Sequence, residues 1–256
     1  MKLNDIQNQK DTRKIPINKV GVKGLQYPIV LQDRTNGTQN SVADINMYVE
    51  LPHDFRGTHM SRFVEILHHY HRDIIIDNLE ELLAEMKKKL DADVAYLEME
   101  FPYFIKKAAP VTKEESLSSY QCGFKTSLRD EFVLEMFAKV PVLSLCPCSK
   151  EISEFGAHNQ RAYITVGIVY RDFVWLEELI EIIENAASSE VYSLLKRPDE
   201  KYVTEKSYDN PKFVEDIARD IAIVLKNDER IAKFSIEAES IESIHNHNAY
   251  AMIKSS

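Results

Sequence analysis

The stretch Ser144-Leu-Cys-Pro-Cys-Ser-Lys150, followed by Gly156-Ala-His-Asn-Gln-Arg161, is the part of the chain from which the rest is best read. Two of the three cysteines stand here, one residue apart, and a histidine follows twelve residues after Cys146. Upstream, Phe132-Val-Leu-Glu-Met-Phe-Ala-Lys-Val140 continues through Pro141 to Leu145 and reads as a strand; downstream, Ala162-Tyr-Ile-Thr-Val-Gly-Ile-Val-Tyr170 reads as another. Cys146 is thus predicted at the mouth of one strand and His158 at the start of the next. Adjacent antiparallel strands lie only about 5 Å apart, so a thiolate and an imidazole so placed can meet one metal ion. A buried cysteine pair beside a loop histidine is the plainer alternative.

Outward from this loop, each half of the chain reads as strand, strand, helix, helix, strand, strand. Residues 1–14 are polar and without period, which predicts a flexible tail. Short β-prone runs follow at Ile15–Ile17, Val20–Val22 and Tyr27–Leu31, then turn chemistry in Asp33–Thr38. Ser41–Leu51 alternates with period two. Met60, Phe63, Val64, Leu67 and Tyr70 recur at helical spacing. Asp77 and Glu80 then form a possible capping box for a second helix, whose core face is Leu79, Leu82, Leu83, Met86 and Leu90. Strands are expected near 93–104 and 117–128. The second half repeats this order: two strands around the Cys/His loop, a helix with Phe173, Leu176, Leu179, Ile180, Ile183 and Ala187 in register, and a loop over Lys196–Asp209. A further helix is expected to open at Asn210-Pro211, with Val214, Ile217, Ala218, Ile221 and Val224 as its stripe. Phe234–Glu239 and Ala249–Ile253 close the chain as strands. The reading is therefore an α+β chain with a tail over 1–14, a first module over 15–130 and a second over 131–256 that carries the Cys/His site.

Composition removes several classes of function. A chain of 256 residues has room for one large domain or two small ones. A net charge of −9 argues against general binding to nucleic acid or anionic membranes. No apolar run approaches the roughly 20 residues of a membrane span, and the N-terminus has no apolar signal-peptide core. Three cysteines, two nearly adjacent, do not make a disulfide framework, which points to a reducing cytoplasm. No glycine-rich phosphate loop occurs, so any nucleotide is held in another way.

Cys-Pro-Cys-Ser-Lys followed by Gly-Ala-His-Asn-Gln-Arg closely resembles the type IB GTP cyclohydrolase family. Gly57-Thr-His-Met-Ser-Arg62, Lys196-Arg-Pro-Asp-Glu200, Asn210-Pro-Lys-Phe-Val-Glu-Asp216 and Glu242-Ser-Ile-His-Asn-His247 resemble its other signature stretches, in the same order. The resemblance implies the tunnelling fold, present twice per chain, with antiparallel sheets and helices on one face. It implies a homo-oligomer, most simply a tetramer, with active sites between subunits. It also implies a reaction: GTP and water to 7,8-dihydroneopterin triphosphate and formate, at the start of folate-type pterin synthesis. Two alternatives stay open. One is an archaeal-type cyclohydrolase that releases a cyclic phosphate, and the other is a non-catalytic zinc-binding protein of the same fold.

The resemblance also assigns residues. Cys146, His158 and Glu200 match the family's metal ligands, a set that zinc, manganese and iron all tolerate. Cys148 is the alternative thiolate, because in an extended chain it points to the same side as Cys146. Glu200 without the resemblance is a carboxylate in a charged loop. Glu215 stands in the first turns of its helix, where the dipole favours a negative charge, and it matches the carboxylate that holds the guanine edge. His245 and His247 match active-site histidines suited to proton transfer. Lys150, Arg161, Lys196, Arg197 and Arg62 lie in the matched stretches and are the candidates for the triphosphate.

Overall fold

The computed structural model describes Gln7, residues 9–70 and residues 78–255. Two compact units are formed, one of Met1–Phe101 with Gly123–Glu135, the other of Pro102–Cys122 with Met136–Ser256. Three strands, β3 (Ala95–Ala108), β4 (Glu115–Leu128) and β5 (Phe132–Leu145), contribute residues to both.

In the first unit, β1 (Ile17–Asp33) and β2 (Gly37–Leu51) make a long antiparallel hairpin, and β2 pairs onward with β3. The three β-prone runs of the sequence are one strand, with register shifts between Ile17 and Val20 and between Val22 and Leu25. Pro28 is accommodated because β1 ends the strand order and can give up a ladder donor. Asp33 builds the turn, its Oδ1 accepting from Thr35 N at 2.8 Å and Asn36 N at 2.7 Å. A side chain at Gly21 is excluded, since a Cβ there would stand 1.9 Å from Met47 O. Helix α1 (Met60–Tyr70) buries Phe63, Ile66 and Leu67, while Met60 and Val64 stay exposed. Helix α2 (Leu79–Leu90) buries all five residues of its expected stripe. Asp77, half of the expected capping box, lies outside the described residues. Within the expected tail, backbone hydrogen bonds join Gly57 N to Gln7 O, Arg56 N to Gln9 O and Asp11 N to Asp54 O.

In the second unit, β5 leads through a short helix α3 (Pro147–Ile152) to β6 (Asn159–Tyr170). After α4 (Leu176–Ala186), a two-residue strand β7 (Ser189–Glu190) pairs with β5. Helices α5 (Arg197–Asp209) and α6 (Val214–Asn227) come next, followed by β8 (Ile231–Ser240) and β9 (Ala249–Lys254). The order β5-β6-β8-β9 is antiparallel where β6 meets β8 and β8 meets β9. Ala162, Ile164 and Val166 on β6 pair with Ser240, Ala238 and Ile236 on β8, and all six are buried. Helix α6 packs here with Val214, Ile217, Ala218, Ile221 and Leu225. Leu225 takes the place expected for Val224, which stays exposed, because the apolar row continues by a step of four.

Three further expectations are corrected. Phe173 is not part of the helix after β6: α4 begins at Leu176, and Phe173 is exposed. Lys196–Asp209 is not a loop: residues 197–209 form α5, which starts with Pro198 in its first turn and Asp199 accepting from Lys196 N at 2.9 Å. Asn210-Pro211 does not open the next helix. Asn210 ends α5, its Nδ2 donating to Ala187 O at 2.9 Å, and α6 begins at Val214 with Asp216 Oδ2 accepting from Phe213 N at 3.1 Å. Among the described residues no helix is long and apolar enough to cross a membrane.

Candidate active site

Strand β5 ends at Leu145, and Cys146 caps α3 with an extended backbone, its Sγ accepting from Ser149 N at 3.4 Å. Pro147 suits the first helical position because its missing N–H has no partner to lose there. Cys146 N donates to His158 O at 3.1 Å, while Ser149 Oγ accepts from His158 N at 3.2 Å and donates to Cys146 O at 3.1 Å. The loop is therefore closed on itself, with the thiol and the imidazole at its two ends. Cys148 sits on the helix, exposed, so the extended-chain phase used to compare it with Cys146 does not apply. All three cysteines are free thiols, with Cys122 buried in β4.

Three further segments meet this loop. Leu145 O accepts from Lys212 N at 3.1 Å, and Ser144 Oγ donates to Lys212 O at 3.0 Å. These two bonds seat the first turn of α6, and with it Glu215, beside the cysteine loop. Beyond the paired ends of β6 and β8, Ile241 N donates to Arg161 O at 2.9 Å, which extends the ladder and carries Glu242 opposite Gln160. Glu242 and the segment after it then bring in His245 and His247.

The result is a cavity of about 310 Å³, lined among others by Cys146, Cys148, His158, Glu215, His245 and His247. This volume is at the lower end of the range usual for small-molecule sites. His158 Nδ1 lies 2.7 Å from Gln160 Oε1, and Gln160 Nε2 donates to Glu242 Oε1 at 3.3 Å. The other Glu242 oxygen lies 3.4 Å from His245 Nδ1. His245 and His247 stack, with ring centroids 5.1 Å apart and planes 12° from parallel. With Nδ1 of His158 committed to an amide oxygen, the lone pair falls on Nε2, the arrangement in which histidine usually binds a metal. Cys146 and His158 thus offer two donors of the kinds a divalent ion takes.

Other expected site residues lie elsewhere. Glu200 is on the exposed side of α5 and does not line the cavity. It precedes Tyr208, whose carbonyl accepts from Lys150 Nζ, by eight residues, about 12 Å of helix rise. Among the described residues, no three of His, Cys, Asp and Glu converge closely enough to hold a metal. Lys150 rests over the Tyr208 ring at 4.3 Å. Arg161, Lys196 and Arg197 are exposed at the starts of β6 and α5. Arg62 belongs to the first unit, where its Nη1 donates to Lys89 O at 2.9 Å. Among the described residues, the lysine that does line the cavity is Lys212, paired with Asp220. Gln160, Glu242 and Lys212 were not singled out from the sequence. For Gln160, the available signal was a polar residue two positions after His158, on the same face of a strand.

Solved structures place this architecture in a class. A uricase from Bacillus fastidious superposes with a TM-score of 0.55 over 93% of this chain and 92% of that one, at 7% identity. A uricase from Arthrobacter globiformis gives 0.53 over 93% and 92%, at 9% identity. The chain is thus an α+β protein of the tunnelling fold. Its family follows from sequence. The profile described as "Type I GTP cyclohydrolase folE2" matches residues 3–251. The "GTP cyclohydrolase FolE2" of Geobacter sp. (strain M21) is 58% identical over 254 residues, 99% of this chain and 95% of that protein. The protein of the same name from Magnetococcus marinus is 54% identical over 253 residues, 98% and 96% of the two chains. The chain belongs to the type I GTP cyclohydrolase folE2 family.

Proposed function

We propose that this protein is a type IB GTP cyclohydrolase that converts GTP and water to 7,8-dihydroneopterin triphosphate and formate. The observation that carries the reading is the convergence of two thiols, three imidazoles and the helix-borne Glu215 on one cavity. Glu215 accepts two parallel hydrogen bonds from the guanine edge, N1–H and the exocyclic amino group. Standing in the first turn of α6, its charge is favoured by the helix dipole. His245 and His247 move protons as the imidazole ring opens and the pterin ring closes. The Glu242 carboxylate beside His245 Nδ1 orients that ring for the transfer. Lys150, Arg161, Lys196, Arg197 and Arg62 are the proposed contacts to the triphosphate.

Cys146 and His158 would hold a divalent ion (zinc, manganese or iron), with Glu200 as the third ligand. Such an ion supplies Lewis acidity for the attack of water on the purine. Because Glu200 lies outside the cavity of its own chain, we assign it to the site of a neighbouring copy. The assignment calls for a homo-oligomer, a homotetramer whose active sites lie between subunits. Free thiols suit a reducing cytoplasm.

Incubation of the purified, metal-loaded protein with GTP tests the assignment. Formate and a pterin carrying the linear triphosphate are expected in equal amounts, and both should cease on chelation. A cyclic phosphate product would move the protein to the archaeal-type reaction, and no turnover by a folded, metal-loaded oligomer would overturn the proposal.

A further inference from the structure

Asp199 is fully buried although it neighbours the exposed Glu200. Its Oδ1 accepts from Val111 N at 2.8 Å and Thr112 N at 2.9 Å. Its Oδ2 accepts from Thr112 Oγ1 at 2.7 Å and Lys196 N at 2.9 Å. Four donors thus converge on one carboxylate. Three come from the turn between β3 and β4, and the fourth comes from the residue that caps α5. This turn is itself closed, Ala109 N donating to Glu114 O and Lys113 N to Ala109 O. A cap alone needs one acceptor and one donor. The other three bonds do nothing for the helix end; they fasten it to a separate, rigid piece of the same unit.

What they fix is direction. The buried face of α5 is narrow, Asp199, Val203 and Ser207, with Val203 its one large apolar side chain, so packing alone fixes the rotation of the helix only weakly. Locking Asp199 sets that rotation at the first turn. Glu200, one residue on, is then presented at a fixed angle of about 100° from Asp199 around the helix. We propose that Asp199 is a positioning residue that holds Glu200 in the direction from which it ligates the metal; this rests on the reading of Glu200 as a ligand. Groups that orient metal ligands affect metal affinity by about 10- to 100-fold when removed.

The test is metal affinity of the assembled protein, measured with Zn²⁺ and with Mn²⁺ against a competing chelator, alongside thermal stability. Asp199→Asn keeps the shape but offers an amide where two donors need an oxygen, and Thr112→Val removes one bond from the opposite side of the clamp. Asn210→Ala, which loosens the far end of α5, serves as the stability control. Affinity is expected to fall by about 10- to 100-fold in Asp199→Asn and by a smaller factor in Thr112→Val, and to stay at the wild-type value in Asn210→Ala. If Asp199→Asn does not fold, Thr112→Val decides. Glu200→Gln separates the two readings. Wild-type affinity in Glu200→Gln overturns the ligand assignment and the proposal with it. Loss in Glu200→Gln with full retention in Asp199→Asn and Thr112→Val overturns the positioning role alone, as does an equal loss in Asn210→Ala.

Discussion

Helices α5 and α6 are neighbours in the chain, separated only by residues 210–213, yet they are held by opposite means. Helix α6 lays five apolar residues, Val214 to Leu225, into the second unit. Helix α5 is held by polar hooks. Asp199 fastens its start; in the last turn Lys206 pairs with Glu190 and Tyr208 O accepts from Lys150, and just past the end Asn210 reaches Ala187 O and Ser188 O. Apolar burial is large and non-directional, whereas each hydrogen bond is small and directional. The first secures a helix, and the second aims one. The difference matches what each helix carries. Glu215 projects from a well-anchored first turn into a cavity formed within the unit, whereas Glu200 projects outward from a helix whose direction is set by hydrogen bonds.

The contrast can be broken most forcefully on the apolar side. Ile217→Ala removes a fully buried side chain from the α6 stripe and is expected to cost about 2–5 kcal/mol of stability, read as a lowered midpoint in urea. A loss below about 1 kcal/mol would mean that α6 is not held by its stripe. Next in size, Glu215→Gln puts an amide donor against the donors of guanine. A loss of about 2–4 kcal/mol, or roughly 30- to 1000-fold in kcat/KM, is expected with metal content unchanged. Loss of metal together with activity would move Glu215 into the coordination shell. On the polar side, Asn210→Ala is expected to cost only about 1 kcal/mol, with the α5 amides losing hydrogen-exchange protection before those of α6.

The smallest effect sharpens the comparison through pH. Burial pushes the Glu190 carboxyl up, but the Lys206 ammonium and the Tyr192 hydroxyl outweigh it and bring the group from 4.5 down to about 2. Between these values the unfolded chain binds the proton and the native chain does not. Stability from this hook is therefore complete above about pH 4.5 and lost as pH falls towards 2. In exchange measurements corrected for intrinsic rates, α5 should loosen over that window while α6 is unmoved. In Lys206→Met the acid dependence of α5 should shrink. Equal loosening of both helices would show that they open as one.

The same contrast explains what was legible in the sequence. Helices α2, α4 and α6 and the long strands other than β1 were readable because apolar periodicity is written along the chain. Helix α5 read as a loop because its sequence, Arg-Pro-Asp-Glu-Lys-Tyr-Val-Thr-Glu-Lys-Ser-Tyr-Asp, buries only Asp199, Val203 and Ser207. Its partners, Thr112 and Glu190, are distant in sequence and invisible to a local pattern. Helix α3 was missed for the related reason that its six residues bury nothing. In the site, Cys146, His158, Glu215, His245 and His247 stood out by motif, and the fold gathers all five around one cavity. Gln160 and Glu242 stood in the same motifs unremarked, because their meeting depends on how β6 pairs with β8, and pairing is not a property of either segment alone.

The three free cysteines differ in depth, and this turns them into a built-in set of chemical reporters. Cys148 is exposed, Cys146 is partly covered, and Cys122 is buried, its thiol pushed up first by burial and then by the nearby Glu177 charge. A thiol-alkylating reagent added to the native protein should therefore modify Cys148 fastest. Cys146 should follow at a rate that slows when a metal ion occupies its sulfur, and Cys122 should wait for unfolding. One time course, resolved by peptide mass, would thus report surface access, site occupancy and global opening from the same sample.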